Sequence, residues 1–418
     1  MTLCSELAES EWLTGDEART LLNELAAEPA ELHTLVARLR DRFTPSQTHL
    51  LLQQVELRRR ATAKFTHAAR MYFTRLGLEQ ATDEWIARYK ASRFQQPKRA
   101  GASPPPPITS APTNPTAPPN NRQPTIADLC CGIGGDLLAL AKVGTAIGID
   151  QNPIAAHFAT ANTGAPVHTI DVADFDFNGI DAWHIDPDRR PTGRRTTSLD
   201  WCEPNLETIE QLLARCPNAA IKLAPGAKPP ADWSERCELE WISRDRECKQ
   251  LVAWHGNIAH TPNQHRATIL LPAARGLAPR TIQGSPNQPT RIAPHPDRYI
   301  FDVDPVVTAA RLTGVLAAEH ELKALAAGPT YLTGSQPITD PALACFEVDE
   351  VLPLRVRNLA QLLKARGIGQ LEIKKRGVEM DPEKLRRDLK LQGPNAATLL
   401  ITPIADRPTA ILAHRPQP

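Results

Sequence analysis

Acidic residues stand at four positions where apolar runs of this sequence end, and they are its clearest chemical signal. The four are Asp128, Asp150, Asp171 and Asp186. Each follows a short apolar run that predicts a β-strand, and helical segments separate the runs. Because ligands of open α/β sheets bind outside the carboxyl ends of the parallel strands, the four carboxylates are expected to surround one site.

A glycine-rich turn follows the first of these strands. From Asp128 the sequence reads Asp-x-x-Cys-Gly-x-Gly-Gly-Asp, with glycines at Gly132, Gly134 and Gly135. Glycine suits a tight turn whose backbone lies against a ligand, because a Cβ would block the approach. Asp150 follows 22 residues after Asp128, where a βαβ unit places an acid against a ribose diol. An acid before the turn suits a ligand with an ammonium group, unlike the Gly-x-Gly-x-x-Gly that binds a pyrophosphate.

This segment resembles motif I of the class I S-adenosylmethionine-dependent methyltransferases. The resemblance implies S-adenosylmethionine as the cofactor. It also implies that the first acid and the glycine backbone hold the methionine end, that the second strand end holds the ribose, and that the third reads the adenine. The residues assigned to the cofactor are Asp128, Cys130, Gly132, Gly134, Asp150, Gln151, Asp171 and Val172.

The end of the fourth strand bears on the reaction. Its tetrapeptide is Asp186-Pro187-Asp188-Arg189. It matches the first half of the Asp/Asn-Pro-Pro-aromatic motif of amino-directed base methyltransferases, in which the acid and the proline carbonyl accept hydrogen bonds from the target amine. The second proline and the aromatic are absent, and an arginine or Trp201 could stack on a base instead. The tetrapeptide is the predicted catalytic group, and N-methylation is the favoured reaction.

Arginines cluster in the loop that follows. Their planar guanidinium groups suit phosphate oxygens, although pairing with acids of the same loop is an alternative. The loop residues assigned to the substrate are Arg190, Arg194 and Arg195. Cys202 could act as a nucleophile in C5-pyrimidine methylation, but nothing adjacent would clearly lower its pKa, and an inert thiol is favoured.

The C-terminal part of the chain is locally basic. From Leu354 onward it contains 13 Lys and Arg against 6 Asp and Glu, whereas the whole chain has 48 against 47. A basic strand end, a turn at Gly377 and a helix opened by Asp381 and Pro382 predict a small α+β domain. Its cations predict contacts to a nucleic-acid backbone, with a solvated surface as the alternative. The residues assigned to the substrate here are Lys374, Lys375 and Arg376.

The N-terminal part is predicted to be helical, with a capping box at Thr14 and Glu17 and a later helix opened by Pro45. Basic residues between Arg58 and Arg75 predict either a polyanion-binding surface or a solvated helix face. Ten prolines between residues 97 and 124 predict an extended spacer. Residues 273–300 are predicted to be irregular, and residues 304–325 are predicted to be helical.

The elements together predict an α/β fold. It consists of a Rossmann-like methyltransferase sheet that ends in a hairpin (238–243 and 248–255), an N-terminal helical domain and a small C-terminal α+β domain. The predicted boundaries are 1–95 for the helical domain, 96–124 for the linker, 125–272 for the methyltransferase domain, 273–353 for a connecting region and 354–418 for the C-terminal domain.

The order of these parts resembles a bacterial family of methyltransferases with a C-terminal THUMP-like domain. The matching segments are residues 64–71, 77–82, 128–136, 186–190 and 372–378. Because THUMP domains belong to RNA-modifying enzymes, the resemblance implies RNA, as tRNA or rRNA, as the substrate. A small-molecule or protein methyltransferase is an alternative. Another is an RNA-binding protein whose methyltransferase fold is inactive.

Composition excludes several other classes of protein. No apolar run approaches the roughly 20 residues that span a bilayer, and the N-terminus lacks the pattern of a signal peptide. The eight cysteines form no Cys-x-x-Cys pair and no metal-ligand spacing with histidine. The chain is therefore expected to be cytoplasmic with reduced thiols, without a metal or a membrane partner.

Overall fold

The computed structural model describes residues 3–27, 36, 39–95, 122–189, 196–272 and 278–416. The chain divides into two compact units, the first formed by Met1–Glu238 with Leu251–Pro262 and the second by Leu239–Gln250 with Asn263–Pro418. Nearly all of the predicted linker lies outside the described residues. The domain boundaries given above stay a prediction.

Helices form the N-terminal part of the first unit. They are α1 (Leu3–Thr14), α2 (Asp16–Ala27), α3 (Pro45–Ala61), α4 (Arg75–Gln80) and α5 (Glu84–Phe94). Pro45 opens α3 behind a capping box of Thr44 and Gln47, so the predicted start of this helix is confirmed. The capping box predicted at Thr14 is wrong. Thr14 ends α1, and its hydroxyl donates to the carbonyl of Glu11 at 3.0 Å.

Two of the N-terminal cations have structural roles. The Arg58 side chain is buried, donates from Nε to the carbonyl of Met71 at 2.9 Å and lies over the Tyr72 ring. The Lys64 ammonium donates to the carbonyls of Leu78 at 2.7 Å and Ala81 at 2.9 Å. Neither cation is available to a polyanion, because local packing already uses it. The exposed cations of the segment are Arg59, Arg60, Arg70 and Arg75.

A sheet forms the rest of the first unit. Its strands and helices follow in the order β1 (Thr125–Leu129), α6 (Leu137–Leu140), β2 (Thr145–Ile149), α7 (Pro153–Thr163), β3 (Val167–His168), β4 (Ala182–Ile185), α8 (Leu206–Arg215), β5 (Ala219–Leu223) and α9 (Trp233–Arg236). Of the next two strands, β6 (Glu238–Arg244) and β7 (Glu247–Trp254), this unit includes Glu238 and residues 251–254. Within the unit the strand order is β3-β2-β1-β4-β5-β7.

The pairing of these strands confirms the predicted α/β fold. The strands β1 to β5 pair in parallel, and β7 pairs antiparallel with β5. Parallel strands need crossover connections, which the intervening helices supply. The chain order reverses between β1 and β4, and ligands of open α/β sheets bind at such a reversal.

A buried ion pair joins α5 to the first residue of β6. The Arg93 guanidinium donates to both carboxylate oxygens of Glu238, at 2.9 and 3.0 Å. The backbone N–H groups of His260 and Thr261 also donate to Glu238, which is fully buried. Buried charges are tolerated when they are paired and hydrogen-bonded in this way.

The second unit contains a seven-stranded sheet with helices. The sheet and its helices comprise β10 (Tyr299–Val303), α10 (Pro305–Ala309), α11 (Thr313–Glu319), β11 (Lys323–Ala324), β12 (Leu332–Gly334), β13 (Leu343–Pro353), α12 (Val356–Ala365), β14 (Ile368–Lys375), α13 (Pro382–Leu389), β15 (Asn395–Ile404) and β16 (Arg407–His414). The sheet order is β11-β12-β10-β13-β16-β15-β14. The unit also contains most of β6, with which β8 (His265–Leu270) pairs in parallel, and β9 (Arg280–Gly284), which pairs antiparallel with β8.

The C-terminal elements of this unit match the predicted α+β pattern. Asp381 caps α13 by accepting from the N–H of Glu383, and Pro382 occupies the first turn. Leu359 and Leu363 of α12 pack with Leu385 of α13 in one buried apolar cluster.

Two expectations for the middle of the chain are wrong. Residues 273–300, predicted to be irregular, include β9 and the start of β10. The helix predicted over 304–325 is two short helices and a strand. Arg311, between the two helices, has a φ of 59°, which a continuous right-handed helix cannot contain. No described helix is long and apolar enough to cross a membrane.

Replacing Arg93 with Met should lower the free energy of unfolding by about 3–5 kcal/mol, because the Glu238 carboxylate would stay buried without its cation. Urea unfolding measures this loss. Arg19→Met is the matched control, since Arg19 pairs with Asp16 at the surface and its loss should change stability by about 0.5 kcal/mol or less. Equal losses in the two variants would contradict the buried pair's role.

Candidate active site

A cavity of about 1120 Å³ opens at the carboxyl ends of β1, β2 and β4. Most of the residues that the sequence assigns to the cofactor or to catalysis line it: Asp128, Cys130, Gly132, Asp150, Gln151, Asp171, Val172, Asp186, Pro187, Asp188 and Arg189. The segment from Thr74 to Thr82, which includes α4, lines it as well. The structure therefore brings the four strand-end acids together around one space.

The structure does not place the remaining assigned residues at this cavity. Gly134 is not among the residues that line the cavity. Arg190, Arg194 and Arg195 lie outside the described residues. Residues 374–376 belong to the second unit.

The glycine turn has two glycines with different surroundings. Gly132 and Gly134 both have positive φ, at 56° and 84°. A Cβ at Gly132 would meet no atom of the described residues within 4 Å, whereas a Cβ at Gly134 would lie 2.8 Å from Cγ2 of Thr163 on α7. Gly132 thus faces the open cavity, and Gly134 permits close packing of the turn against a helix.

Asp150 fixes the end of β2 to this turn. Its Oδ2 accepts from the N–H of Gly132 and its Oδ1 from the N–H of Asn152, both at 2.8 Å. Burial raises the pKa of Asp150, and the two backbone hydrogen bonds oppose that shift. Each carboxylate oxygen has a further lone pair, so the side chain can also accept from a diol.

Asp128 presents one unpartnered oxygen. The side chain is buried, and its Oδ1 lies 2.7 Å from Nδ1 of His184 on β4. Its Oδ2 is buried and has no hydrogen-bond partner among the residues that the structure describes. Burial raises the pKa of Asp128, and the hydrogen bond from His184 opposes that shift. An unpartnered carboxylate oxygen in the wall of a cavity is suited to a cationic donor on a ligand.

A buried lysine completes a chain of polar contacts behind Asp128. Nζ of Lys90 on α5 lies 2.9 Å from Nε2 of His184 and 2.7 Å from Oδ1 of Asp136. Burial lowers the pKa of Lys90, and Asp136 opposes the shift. Burial alone would raise the pKa of Asp136, but the charge of Lys90 holds it well below its usual range.

Sequence reasoning missed both His184 and Lys90. His184 lies inside a strand whose neighbours are apolar, and Lys90 lies 94 residues before it. One signal was present for the lysine. Ile86, Ala87, Ala91 and Phe94 form the apolar stripe of α5, and Lys90 falls within that stripe at helical spacing.

The Asp-Pro-Asp-Arg tetrapeptide is held by Lys222 on β5 and by the segment around α4. Nζ of Lys222 donates to Oδ2 of Asp186 and to the hydroxyl of Thr82, the latter at 3.1 Å. Oδ1 of Asp188 accepts from Nε2 of Gln80 at 2.9 Å. The resemblance included this N-terminal segment, but the sequence assigned Gln80 and Thr82 no role.

An exposed tryptophan lines the same cavity. Trp201 is 70% exposed, and Cys202 beside it is buried. Burial raises the pKa of the Cys202 thiol, which is consistent with the expected inert thiol and not with a nucleophile.

Two of the basic residues assigned in the second unit pair with an acid of the same unit. Lys374 Nζ lies 3.5 Å from Oδ2 of Asp302, and Nη2 of Arg376 donates to Oδ1 at 2.8 Å. Lys375 Nζ donates to the carbonyl of Met380 at 2.5 Å. Asp302 therefore compensates much of the predicted basic strand end. Exposed cations lie instead on or beside the two helices, among them Arg357, Lys364, Lys384, Arg387 and Lys390.

Known protein families and a known protein resemble this chain. A THUMP domain-like family matches residues 343–415, and a domain of unknown function (DUF8688) matches residues 6–61. An uncharacterized S-adenosylmethionine-dependent methyltransferase of Mycobacterium tuberculosis, found in the CDC 1551 and H37Rv strains, is 29% identical over 378 residues, which are 85% of this chain and 92% of that protein.

A solved structure shares the fold over nearly the whole chain. The crystal structure of a candidate methyltransferase from Porphyromonas gingivalis W83 superimposes with a TM-score of 0.72 at 21% identity, covering 96% of this chain and 99% of that one. The comparisons confirm the predicted fold class and the THUMP-like C-terminal domain. The name of the Mycobacterium relative agrees with the predicted cofactor, S-adenosylmethionine.

Alanine at the two turn glycines should separate cofactor binding from stability. Both substitutions strain a positive φ, by about 1–2 kcal/mol. Gly132→Ala should also weaken S-adenosylhomocysteine binding in calorimetry by about tenfold, because its methyl enters the cavity. Gly134→Ala should lower the melting temperature more, because its methyl meets Thr163. The reverse pattern would show that Gly132 does not face the ligand.

Proposed function

We propose that this chain, a class I S-adenosylmethionine-dependent methyltransferase with a C-terminal THUMP-like domain, methylates an amino group of a base in tRNA or rRNA. The chain would hold the cofactor in the cavity, orient the acceptor amine beside it and bind the RNA through exposed cations.

The cavity residues fit the cofactor. Asp128 offers the ammonium group a buried oxygen that has no partner in the described part of the chain, and the space above Gly132 leaves the backbone open to a ligand. Asp150 with Gln151 would hold the ribose hydroxyls, and Asp171 with Val172 would border the adenine. Cys130 and Gly134 remain assigned by resemblance to the same turn. S-adenosylmethionine supplies an electrophilic methyl group on a sulfonium sulfur.

The acceptor amine would be oriented by the Asp-Pro-Asp-Arg turn. Lys222 holds Oδ2 of Asp186, while Oδ1 has no hydrogen-bond partner within the described part of the chain. Oδ1 and the Pro187 carbonyl can accept from the two hydrogens of an amine, which directs the nitrogen lone pair at the methyl group. Catalysis would then depend chiefly on orientation.

The observation that carries the choice of a base as acceptor is Trp201. This indole is 70% exposed and lines the same cavity as Asp186, so it would take the place of the missing aromatic of the tetrapeptide. Stacking of a base on an aromatic side chain contributes about 1–3 kcal/mol. The cavity is also larger than the roughly 300–1,000 Å³ of ordinary small-ligand sites, which leaves room for an acceptor beside the cofactor.

Binding of the RNA backbone is assigned to cations at two places. The exposed Lys and Arg residues of α12 and α13 belong to the domain that matches the THUMP-like family. The loop residues Arg190, Arg194 and Arg195 follow the catalytic turn, and we assign them to phosphate contacts as well. Lys374, Lys375 and Arg376 are a weaker choice, because their side chains already have partners within the unit.

Trp201→Ala should raise the KM for RNA by about tenfold, as expected from loss of one stacked base. Transfer of labelled methyl to bulk tRNA and rRNA from cells that lack this enzyme measures the effect. Trp201→Phe is the matched control and should retain most of the affinity. Labelling of proteins or small molecules alone would favour the alternative substrates. Cofactor binding with no transfer would favour an inactive RNA-binding protein.

Asp186→Ala should lower kcat by about a hundredfold or more, because the amine loses the acceptor that orients it, while cofactor affinity stays unchanged. Asp186→Asn should retain more activity, since the amide oxygen still accepts a hydrogen bond. Single-turnover transfer to RNA, with calorimetry of S-adenosylhomocysteine binding as the control, measures both. Equal rates for the wild-type protein and the alanine variant would exclude this role for Asp186.

A further inference from the structure

We propose that His184 and Lys90 are positioning residues for the cofactor, which hold the Asp128 carboxylate oriented and ionised for the ammonium group. The inference concerns the cofactor end of the site. It therefore does not depend on RNA being the acceptor.

The hydrogen-bond geometry fixes the direction of the chain of contacts. Lys90 has only donors when it is charged, and Asp136 lies 2.7 Å from its ammonium. Nε2 of His184, at 2.9 Å from Nζ, must then be the acceptor. The imidazole proton is left on Nδ1, which donates to Oδ1 of Asp128 at 2.7 Å. Oδ1 of Asp128 is thereby engaged, and Oδ2, which has no hydrogen-bond partner in the described part of the chain, is left for the ammonium group.

Asp128 is buried, so its carboxyl group needs nearby partners in order to stay ionised. Asp128, His184 and Lys90 are each only 1% exposed. Burial raises the pKa of Asp128, and both the hydrogen bond from His184 and the charge of Lys90 oppose that shift. Without these two groups the carboxyl group would favour its neutral form, which attracts an ammonium group far less strongly.

The chain of contacts also makes the helical segment part of the cofactor site. Lys90 lies on α5, whereas Asp128 and His184 lie on the paired strands β1 and β4. No other described cation contacts His184. The N-terminal helices therefore contribute to cofactor affinity through α5, although Lys90 is not among the residues that line the cavity.

Two ligands that differ at the methionine end separate this role from a general effect on folding. S-adenosylhomocysteine carries the ammonium group, and 5′-methylthioadenosine lacks the whole amino-acid portion. His184→Leu should weaken binding of the first by about tenfold to a hundredfold, the range of a charge-assisted hydrogen bond. Binding of the second should change by less than about twofold. Lys90→Met should change the two affinities in the same direction. Calorimetry with the whole chain measures the affinity of each of the two variants for each of the two ligands.

Matched variants sharpen the test. His184→Gln offers one donor and one acceptor, so it should recover most of the affinity for S-adenosylhomocysteine. Lys142→Met, at an exposed lysine, should change neither affinity. If His184→Leu and Lys90→Met weaken both ligands equally, or weaken neither, the positioning role is overturned.

A measurement on the wild-type protein covers the case in which these variants do not fold. An analogue of S-adenosylhomocysteine that lacks only its amino group should bind at least tenfold more weakly than the parent. Equal affinities would mean that Asp128 does not bind the ammonium group, and the role assigned to His184 and Lys90 would fail with it. Because no RNA is present, none of these results bears on the proposed acceptor.

Discussion

The burial of Lys90 is the constraint on which much of the first unit depends. A charged ammonium removed from water costs several kcal/mol unless partners replace its hydration. Asp136 and His184 supply those partners, and they lie after the glycine turn and on β4. The helix α5 can therefore pack on the sheet only where these groups meet it. The Arg93–Glu238 pair, one turn further along the same helix, adds a second buried requirement.

The proposed cofactor and acceptor ends of the cavity share one arrangement. At each, a strand-end acid has one carboxylate oxygen bonded to a cationic or imidazole partner, and we propose that the other oxygen binds the ligand. His184 holds Asp128, and Lys222 holds Asp186. The partner residues fix the direction of each carboxylate before a ligand arrives, so little conformational entropy is lost on binding. The N-terminal segment takes part at both ends, through Lys90 and through Thr82 and Gln80.

In the second unit, pairing rather than composition decides which cations can meet a polyanion. The basic run at residues 374–376 is conspicuous in the sequence, yet Asp302 pairs with two of its members. The sequence around Asp302 gives no sign of this contact, because Asp302 lies on β10, more than 70 residues before Arg376. The cations of α12 and α13 remain at the surface because the apolar faces of these helices pack inward, with Leu359 and Leu385 in one cluster.

The sequence by itself determined the parallel sheet, the glycine turn and the four strand-end acids, because each depends on local patterns: apolar runs, glycine at positive φ, and an acid at a strand end. It also predicted the start of α3 and the elements of the C-terminal domain from capping and proline signals. It failed at residues 304–325, which were predicted to be helical but are interrupted at Arg311, where φ is positive. Only the tertiary structure decided that Lys90 and His184 support Asp128 and that Gly134 packs against α7. The reason is that these contacts join residues far apart in the chain, and a buried polar group reveals its partner only when the elements have packed.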